Sequence, residues 1–316
     1  MIPVPFADFL AGNPCILGEG AVIERLRRIE GLELDPYLVN AACIYDDVKS
    51  AALADICRQY LDIGHEFGLP LIISTPTWRA SRERIEKAGY GESDVNGDNF
   101  SFLDALRGSY GNYAKKVAIC GLLSCRGNAY DPAEALSGDE AREFHSWQAR
   151  KLAAAGVDFL LASTLPAASE AQGMAAALAE TGLPYLISFV VRPEGTLLDG
   201  TPLHEAISRI DASIAPKPLA FMINCTHASL ARAAMLQEGN SSSLVRKRVV
   251  GLLANTAALS PEDLDNSTEL IEEEPETFAE GVAALHGELG MKILGGCCGT
   301  DDRHIRCLAK LLAQEG

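Results

Sequence analysis

The chain has 316 residues, 48% of them hydrophobic and 22% charged, with 43 acidic against 27 basic side chains and a formal net charge of -16. This composition is that of a globular chain, and its charge repels a phosphate backbone, so nucleic acid is not an expected partner. No apolar run approaches the length of a membrane span, and the opening MIPVPFADFLAGNP lacks the basic and apolar segments of a secretory leader, so no membrane association is expected. Nine cysteines, in a chain too large to need disulfide staples, point to a reducing, cytoplasmic setting.

Short apolar runs alternate with amphipathic stretches along the chain. CILG (Cys15 to Gly18) reads as a first strand, followed by AVIERLRRIEG with Val22, Leu26 and Ile29 at helical spacing. YLVNAACIY (Tyr37 to Tyr45) reads either as a strand or as apolar packing in a long connection. A helix over 48–67 leads into LIIST (Leu71 to Thr75). Helices over 98–110, 139–155, 167–181, 202–213, 228–237 and 275–289 then precede VAICGLLS, VDFLLAST, YLISFVV, LAFMINC, RVVGLLAN and MKILGG. A last helix is expected from about Asp302 to Gln314.

Setting aside 37–45, these runs make eight strands, apolar on both faces as in a parallel sheet covered by helices. Eight such units fit an α/β fold of the (β/α)8, or TIM, barrel type, with a doubly wound open sheet as the competitor. No glycine-rich phosphate loop follows an early strand, which removes the usual nucleotide reading. No linker divides the chain, so a single domain over 1–316 is expected. The acidic stretch Glu269 to Glu276 reads as a solvated loop.

Three cysteines stand apart. Cys225 closes the sixth strand, and Cys297 and Cys298 follow the eighth in ILGGCCGT (Ile293 to Thr300). In a barrel both places lie at the C-terminal face, where catalytic groups collect. Adjacent cysteines cannot share one strand direction, but a glycine turn can bring both sulfurs to one ion. Thiolates suit Zn2+, and three protein ligands leave a fourth position for substrate. The alternatives are buried cysteines, a redox pair or a strained vicinal disulfide. Cys43, Cys57, Cys120 and Cys307 read as core, while Cys15 and Cys125 are weaker pocket candidates. His227 is an alternative ligand. His304 is expected to face solvent or cap a contact, and His65, His145, His204 and His286 have no evident partner.

An open thiolate site lowers the pKa of a bound substrate thiol. Such a thiolate attacks an electrophilic carbon, most naturally a methyl on a positive sulfur or nitrogen. The reaction needs alignment more than acid–base groups. Small-molecule thiol and methyl donor are therefore the expected partners.

ILGGCCGTDDRHIRCLA (Ile293 to Ala309) and MINCT (Met222 to Thr226) resemble motifs of the homocysteine S-methyltransferase family. Weaker matches are STPTWRAS (Ser74 to Ser81), AGVDFLLAST (Ala155 to Thr164) and SFVVRPEGTLLDG (Ser188 to Gly200). The resemblance implies a (β/α)8 barrel and a zinc ion on Cys225, Cys297 and Cys298. It also implies methyl transfer from S-methylmethionine or S-adenosylmethionine to homocysteine, giving methionine, with betaine or methylfolate as donors elsewhere in the family. Asn224 would lie beside the bound amino acid. The chain departs from the pattern where Gly18 replaces an aspartate and Ser163-Thr164 replaces Glu-Thr; Glu19 is expected to supply a carboxylate from the next position. The seventh strand departs too, ending GLLANTAA (Gly251 to Ala258). A related enzyme with another thiol or donor, a cobalamin-linked module, and a non-catalytic binding member are the rival expectations.

Overall fold

The apolar runs pair in chain order in the computed structural model, which describes residues 5–264 and 271–314. Helix α1 (Phe6–Gly12) precedes β1 (Ile16–Gly18) and α2 (Ile23–Arg27). Next come α3 (Asp47–Phe67), β2 (Leu71–Ser74), α4 (Arg82–Lys87), α5 (Val95–Gly108) and β3 (Val117–Ser124). Then follow α6 (Gly138–Ala155), β4 (Phe159–Leu165), α7 (Ala168–Ala179), β5 (Tyr185–Phe189), α8 (Leu203–Ser213) and β6 (Ala220–His227). The chain continues through α9 (Ala228–Leu236), α10 (Ser243–Arg248), β7 (Val249–Asn255), α11 (Pro261–Leu264), α12 (Pro275–Leu289), β8 (Ile293–Gly296) and α13 (Asp302–Leu312).

All eight strands are parallel, and β8 returns to β1 through Ile16 beside Ile293 and Leu17 beside Leu294. The sheet is therefore a closed (β/α)8 barrel, and the open-sheet alternative is excluded. Alternation along each strand splits the core in two. Ile72, Cys120, Phe159, Leu161, Leu186 and Met222 fill the interior, while Ile73, Ile119, Leu160, Ile187 and Ile223 pack outward under the helices. Each such fully buried side chain contributes about 1.5–3 kcal/mol. Helix α1, unanticipated from sequence, belongs to the inner cluster: Phe6 stacks on Phe159 with ring centroids 3.6 Å apart.

Residues 37–45 form no strand. Asp35 accepts hydrogen bonds from the amides of Tyr37 and Leu38, Val39 takes φ 56°, and Cys43–Tyr45 is a 3-10 turn. Asp46 then caps α3 through the amides of Val48 and Lys49. The helix expected after β1 is shortened to Ile23–Arg27, and α10 is an addition. Among the described residues no helix is long and apolar enough to cross a membrane.

His304 caps a contact as expected but does not face solvent, and His145, His204 and His286, read as having no evident partner, each have one. His304 is fully buried: Nδ1 bonds Asp301 and Nε2 bonds the Glu273 carbonyl, closing the cap of α13. His304, Asp301 and Glu272 do cluster, but Arg303 pairs with both acids, so the group reads as a helix cap. His145 bonds the buried Glu170, and His204 bonds Asn240. The acidic loop after β7 is largely exposed from Ile271 onward; Glu269 and Leu270 lie outside the described residues.

Candidate metal centre

Strand β6 runs Met222 inward and Ile223 outward, and Asn224 lines the mouth of the barrel. Regular alternation would turn Cys225 away. Instead Cys225 takes φ 51°, the pairing with β7 slips between Asn224 and Thr226, and Asn224 and Cys225 line one cavity. Thr164 does the same at the end of β4, with φ 60° and a register shift before Leu165. Left-handed backbone at a non-glycine residue costs about 1–3 kcal/mol and collects at functional sites. Asn224 holds the pair together: its Oδ1 accepts from the Thr164 amide (2.9 Å) and Ser188 Oγ (2.7 Å), and its Nδ2 donates to Thr164 Oγ1 (2.7 Å).

The other two sulfurs come from the turn after β8. The amide of Cys297 donates to the Ala254 carbonyl (2.7 Å), and the Cys298 carbonyl accepts from the Thr256 amide (3.1 Å). Thr300 Oγ1 donates to the Cys297 carbonyl (2.7 Å). Gly299, at φ 83°, gives its amide to the Glu24 carboxylate, and a Cβ there would collide with Thr256. The turn is thus fixed from α2, from the end of β7 and by its own Thr300 hydroxyl.

The three sulfurs lie within 4.8 Å of one another. A tetrahedral zinc ion with sulfur at roughly 2.3 Å sets its ligands about 3.8 Å apart. The donor set therefore fits such an ion. Cys225 is buried, Cys297 half-buried and Cys298 exposed at the mouth. Hydrogen bonds from Cys297 and Cys298, with help from Tyr130 and Thr164, hold the Cys225 thiol well below its usual range against the opposing effect of burial. The negative charge this favours on Cys225 pushes Cys297 well up and Cys298 to about 12. One sulfur takes the first negative charge and the others resist a second, as expected where a cation is needed to hold three thiolates.

The cavity has a volume of about 740 Å³ and contains Glu19, Ser163, Thr164 and Asn224 beside the three cysteines. Glu19 is buried; its carboxylate accepts from the Ser74 amide (2.9 Å), and burial pushes its pKa up to about 7. The neighbouring Gly18 has no room for a side chain: a Cβ would lie 2.7 Å from Leu253 Cδ2 and 3.2 Å from Gly295 Cα. The carboxylate accordingly enters from the next residue. Thr164 and Asn224 spend their side chains on each other, while Ser163 Oγ meets Thr164 Oγ1 at 3.2 Å.

Cys43, Cys57 and Cys120 are buried as core, and Cys57 also reaches the cavity wall, whereas Cys15 and Cys125 are buried and do not line it. His227 stays outside the sulfur cluster, bonding Ser229 and Glu273. Four contributors escaped the sequence reading. Tyr130 packs, as Cys297 does, against the group formed by Val190, Leu198 and Cys225. Glu24 clamps Gly299, Arg79 lines the cavity from the loop after β2, and Asn255 ends β7 with both amide atoms buried and unpartnered. The asparagine in GLLANTAA was in view, but no sequence pattern marks an amide left without a partner.

A model of the family described as homocysteine S-methyltransferase matches residues 16–312. The chain belongs to that family, and its barrel and cysteine cluster are those of a metal-dependent methyltransferase-like enzyme. Betaine–homocysteine S-methyltransferase 1 of Bos taurus is 24% identical over 323 residues, covering 97% of this chain and 74% of that protein. Homocysteine S-methyltransferase YbgG of Bacillus subtilis (strain 168) is 24% identical over 329 residues, covering 96% of each. The metallated form of the homocysteine methyltransferase MmuM from Escherichia coli superposes with a TM-score of 0.74 at 20% identity, over 97% of this chain and 99% of that one. The structural likeness supports the fold.

Proposed function

We propose that this protein holds zinc on Cys225, Cys297 and Cys298 and moves a methyl group from S-methylmethionine or S-adenosylmethionine to the thiol of homocysteine, giving methionine. The observation that carries the reading is the convergence of three sulfurs within 4.8 Å on the wall of a cavity of about 740 Å³. Zinc bound there supplies the positive charge that keeps a substrate thiol ionised at neutral pH.

The chain's own residues do the rest. Tyr130 packs on the group that includes Cys225, and Asn224 ties Thr164 in place beside it. Glu24 and Thr300 hold the backbone that aims Cys297 and Cys298. In the transfer, the acceptor sulfur forms a bond to the methyl carbon and the donor's sulfonium–methyl bond breaks. That electron pair stays on the donor sulfur, which leaves neutral, and the thiol proton goes to solvent. Alignment inside the barrel mouth carries the rate, with no general acid required.

A second reading keeps the transfer and changes the acceptor. It is favoured by the hydroxyls of Ser163 and Thr164 where an ammonium would want a carboxylate, and by Glu19, half-protonated near pH 7. A desolvated ammonium lacking its partner would cost roughly 2–5 kcal/mol. The test is methionine formation from homocysteine by zinc-loaded protein, each donor supplied separately. Turnover with one donor, abolished in Cys298→Ala, is expected. No turnover from protein holding one zinc per chain would overturn the pairing of homocysteine with these two donors.

A further inference from the structure

Arg79 is a buried cation in the cavity wall, 9% exposed, with no carboxylate among its described partners. Its Nη1 donates to the carbonyls of Cys125 (2.8 Å), Arg126 (3.3 Å) and Gly127 (2.8 Å). Its guanidinium lies 4.1 Å from the centroid of the Trp78 ring. The other groups acting on it are the Cys125 thiol, which burial keeps neutral by raising its pKa to about 11, the Arg84 cation, and the buried Glu170 carboxylate, which makes no ion pair with it and spends its oxygens on the Arg126 and Leu136 amides and on His145. Nε and Nη2 donate to no protein oxygen among the described residues. A guanidinium presents a flat fork suited to a carboxylate, and a stacked, pinned fork loses little entropy on binding one. A desolvated cation with three of its five N–H donors unspent wants an anion.

The surroundings point the same way. The charged side chains lining the cavity are Arg27, Arg28, Arg79 and Arg84 against Glu19 and Glu24. Glu24 is already paired with Arg28 at 2.6 Å. In a chain of net charge -16, arginines thus outnumber carboxylates in this cavity. Asn255 supplies an independent sign of a polar ligand: it is 1% exposed, lines the same cavity, and has neither amide atom satisfied among the described residues.

We propose that Arg79 is the anion-binding residue of this cavity and receives an organic carboxylate carried by one of the two substrates. The inference rests on the methyl-transfer reading above and deepens it. The carboxylate belongs either to the thiol acceptor or to the sulfonium donor, and the chemistry at Arg79 is the same for both.

Two matched series separate the sources. The acceptors are homocysteine, 4-mercaptobutanoate, which lacks the amine, and 3-mercaptopropylamine, which lacks the carboxylate. The donors are S-methylmethionine, 4-(dimethylsulfonio)butanoate and 3-(dimethylsulfonio)propylamine. Zinc-loaded wild type, Arg79→Gln and Arg79→Lys are compared by kcat and KM, and binding of the same compounds is measured by calorimetry. In one series the carboxylate compound should exceed its amine counterpart by about tenfold or more in kcat/KM, chiefly through KM. Arg79→Gln should shrink that preference to about threefold or less, and Arg79→Lys should keep part of it. A uniform loss across all compounds would mean that Arg79 only pins the loop, and would overturn the proposal. So would an unchanged preference in Arg79→Gln, or preference for the amine in both series. Arg79-dependent carboxylate binding with no methyl transfer to any thiol would uphold the subsite and reject the reaction.

Discussion

Asn255 and Glu19 are two of the polar side chains in the barrel mouth that the fold alone leaves poorly served. An unsatisfied buried amide costs about 1–3 kcal/mol, and Asn255 leaves both its atoms without partners. Asn255→Leu, close in volume, should therefore leave stability in urea unchanged or raise it by about 1 kcal/mol, while raising the substrate KM. Clear destabilisation would contradict the assignment of this amide to a ligand. Glu19 has its pKa raised from 4.5 to about 7 by burial. The folded chain keeps a proton that the unfolded chain releases between those values. The stabilisation from this group is complete below about pH 4.5 and lost as pH rises to about 7, a change on the order of 3 kcal/mol. Glu19→Gln should gain on wild type by about that amount between pH 4.5 and pH 8 in urea titrations; parallel pH–stability curves would refute it. At this scale the sequence revealed the three cysteines, because glycines on both sides of Cys297-Cys298 mark a turn rather than a packed strand. It did not reveal Tyr130, Glu24 or Arg79, whose partners lie far along the chain and leave no periodic trace.

The ends of β4, β5 and β6 are tied by one side chain. Asn224 bonds Thr164 twice and Ser188 once, and it lies between the two left-handed residues, Thr164 and Cys225. Asn224→Ala would leave the Thr164 amide and Ser188 hydroxyl buried without that partner, at a cost of about 3 kcal/mol. Zinc retention should fall with it, because Cys225 is the next residue. Urea denaturation and metal analysis of the same sample check both; a loss below about 0.5 kcal/mol would show that Asn224 does not hold these strands. The strands themselves were legible, since runs apolar on both faces have one common use, a covered parallel sheet. The segment 37–45 was not, because its apolar residues pack in a turn fixed by Asp35, which carries no strand or helix period. The breaks at Thr164 and Cys225 were hidden for a related reason: φ is set by tertiary bonds, and neither residue type announces it.

Closure of the barrel decides where the chemistry sits. An alternation of strands and helices fits a closed ring as well as an open sheet, and only the pairing of β1 with β8 separates them. That pairing brings Cys297 and Cys298, after the last strand, to the mouth that Cys225 reaches from β6. Helix α1 contributes Phe6 to the packing on Phe159, so the interior is filled below the cavity and the cavity remains at the C-terminal ends of the strands. The central claim is that this convergence is a zinc site. The most direct measurement is the zinc content of protein purified in parallel as wild type, Cys225→Ala and Cys298→Ala. The account predicts about one zinc per chain for wild type and a large loss in both variants with the fold retained. Full retention in both variants would contradict it.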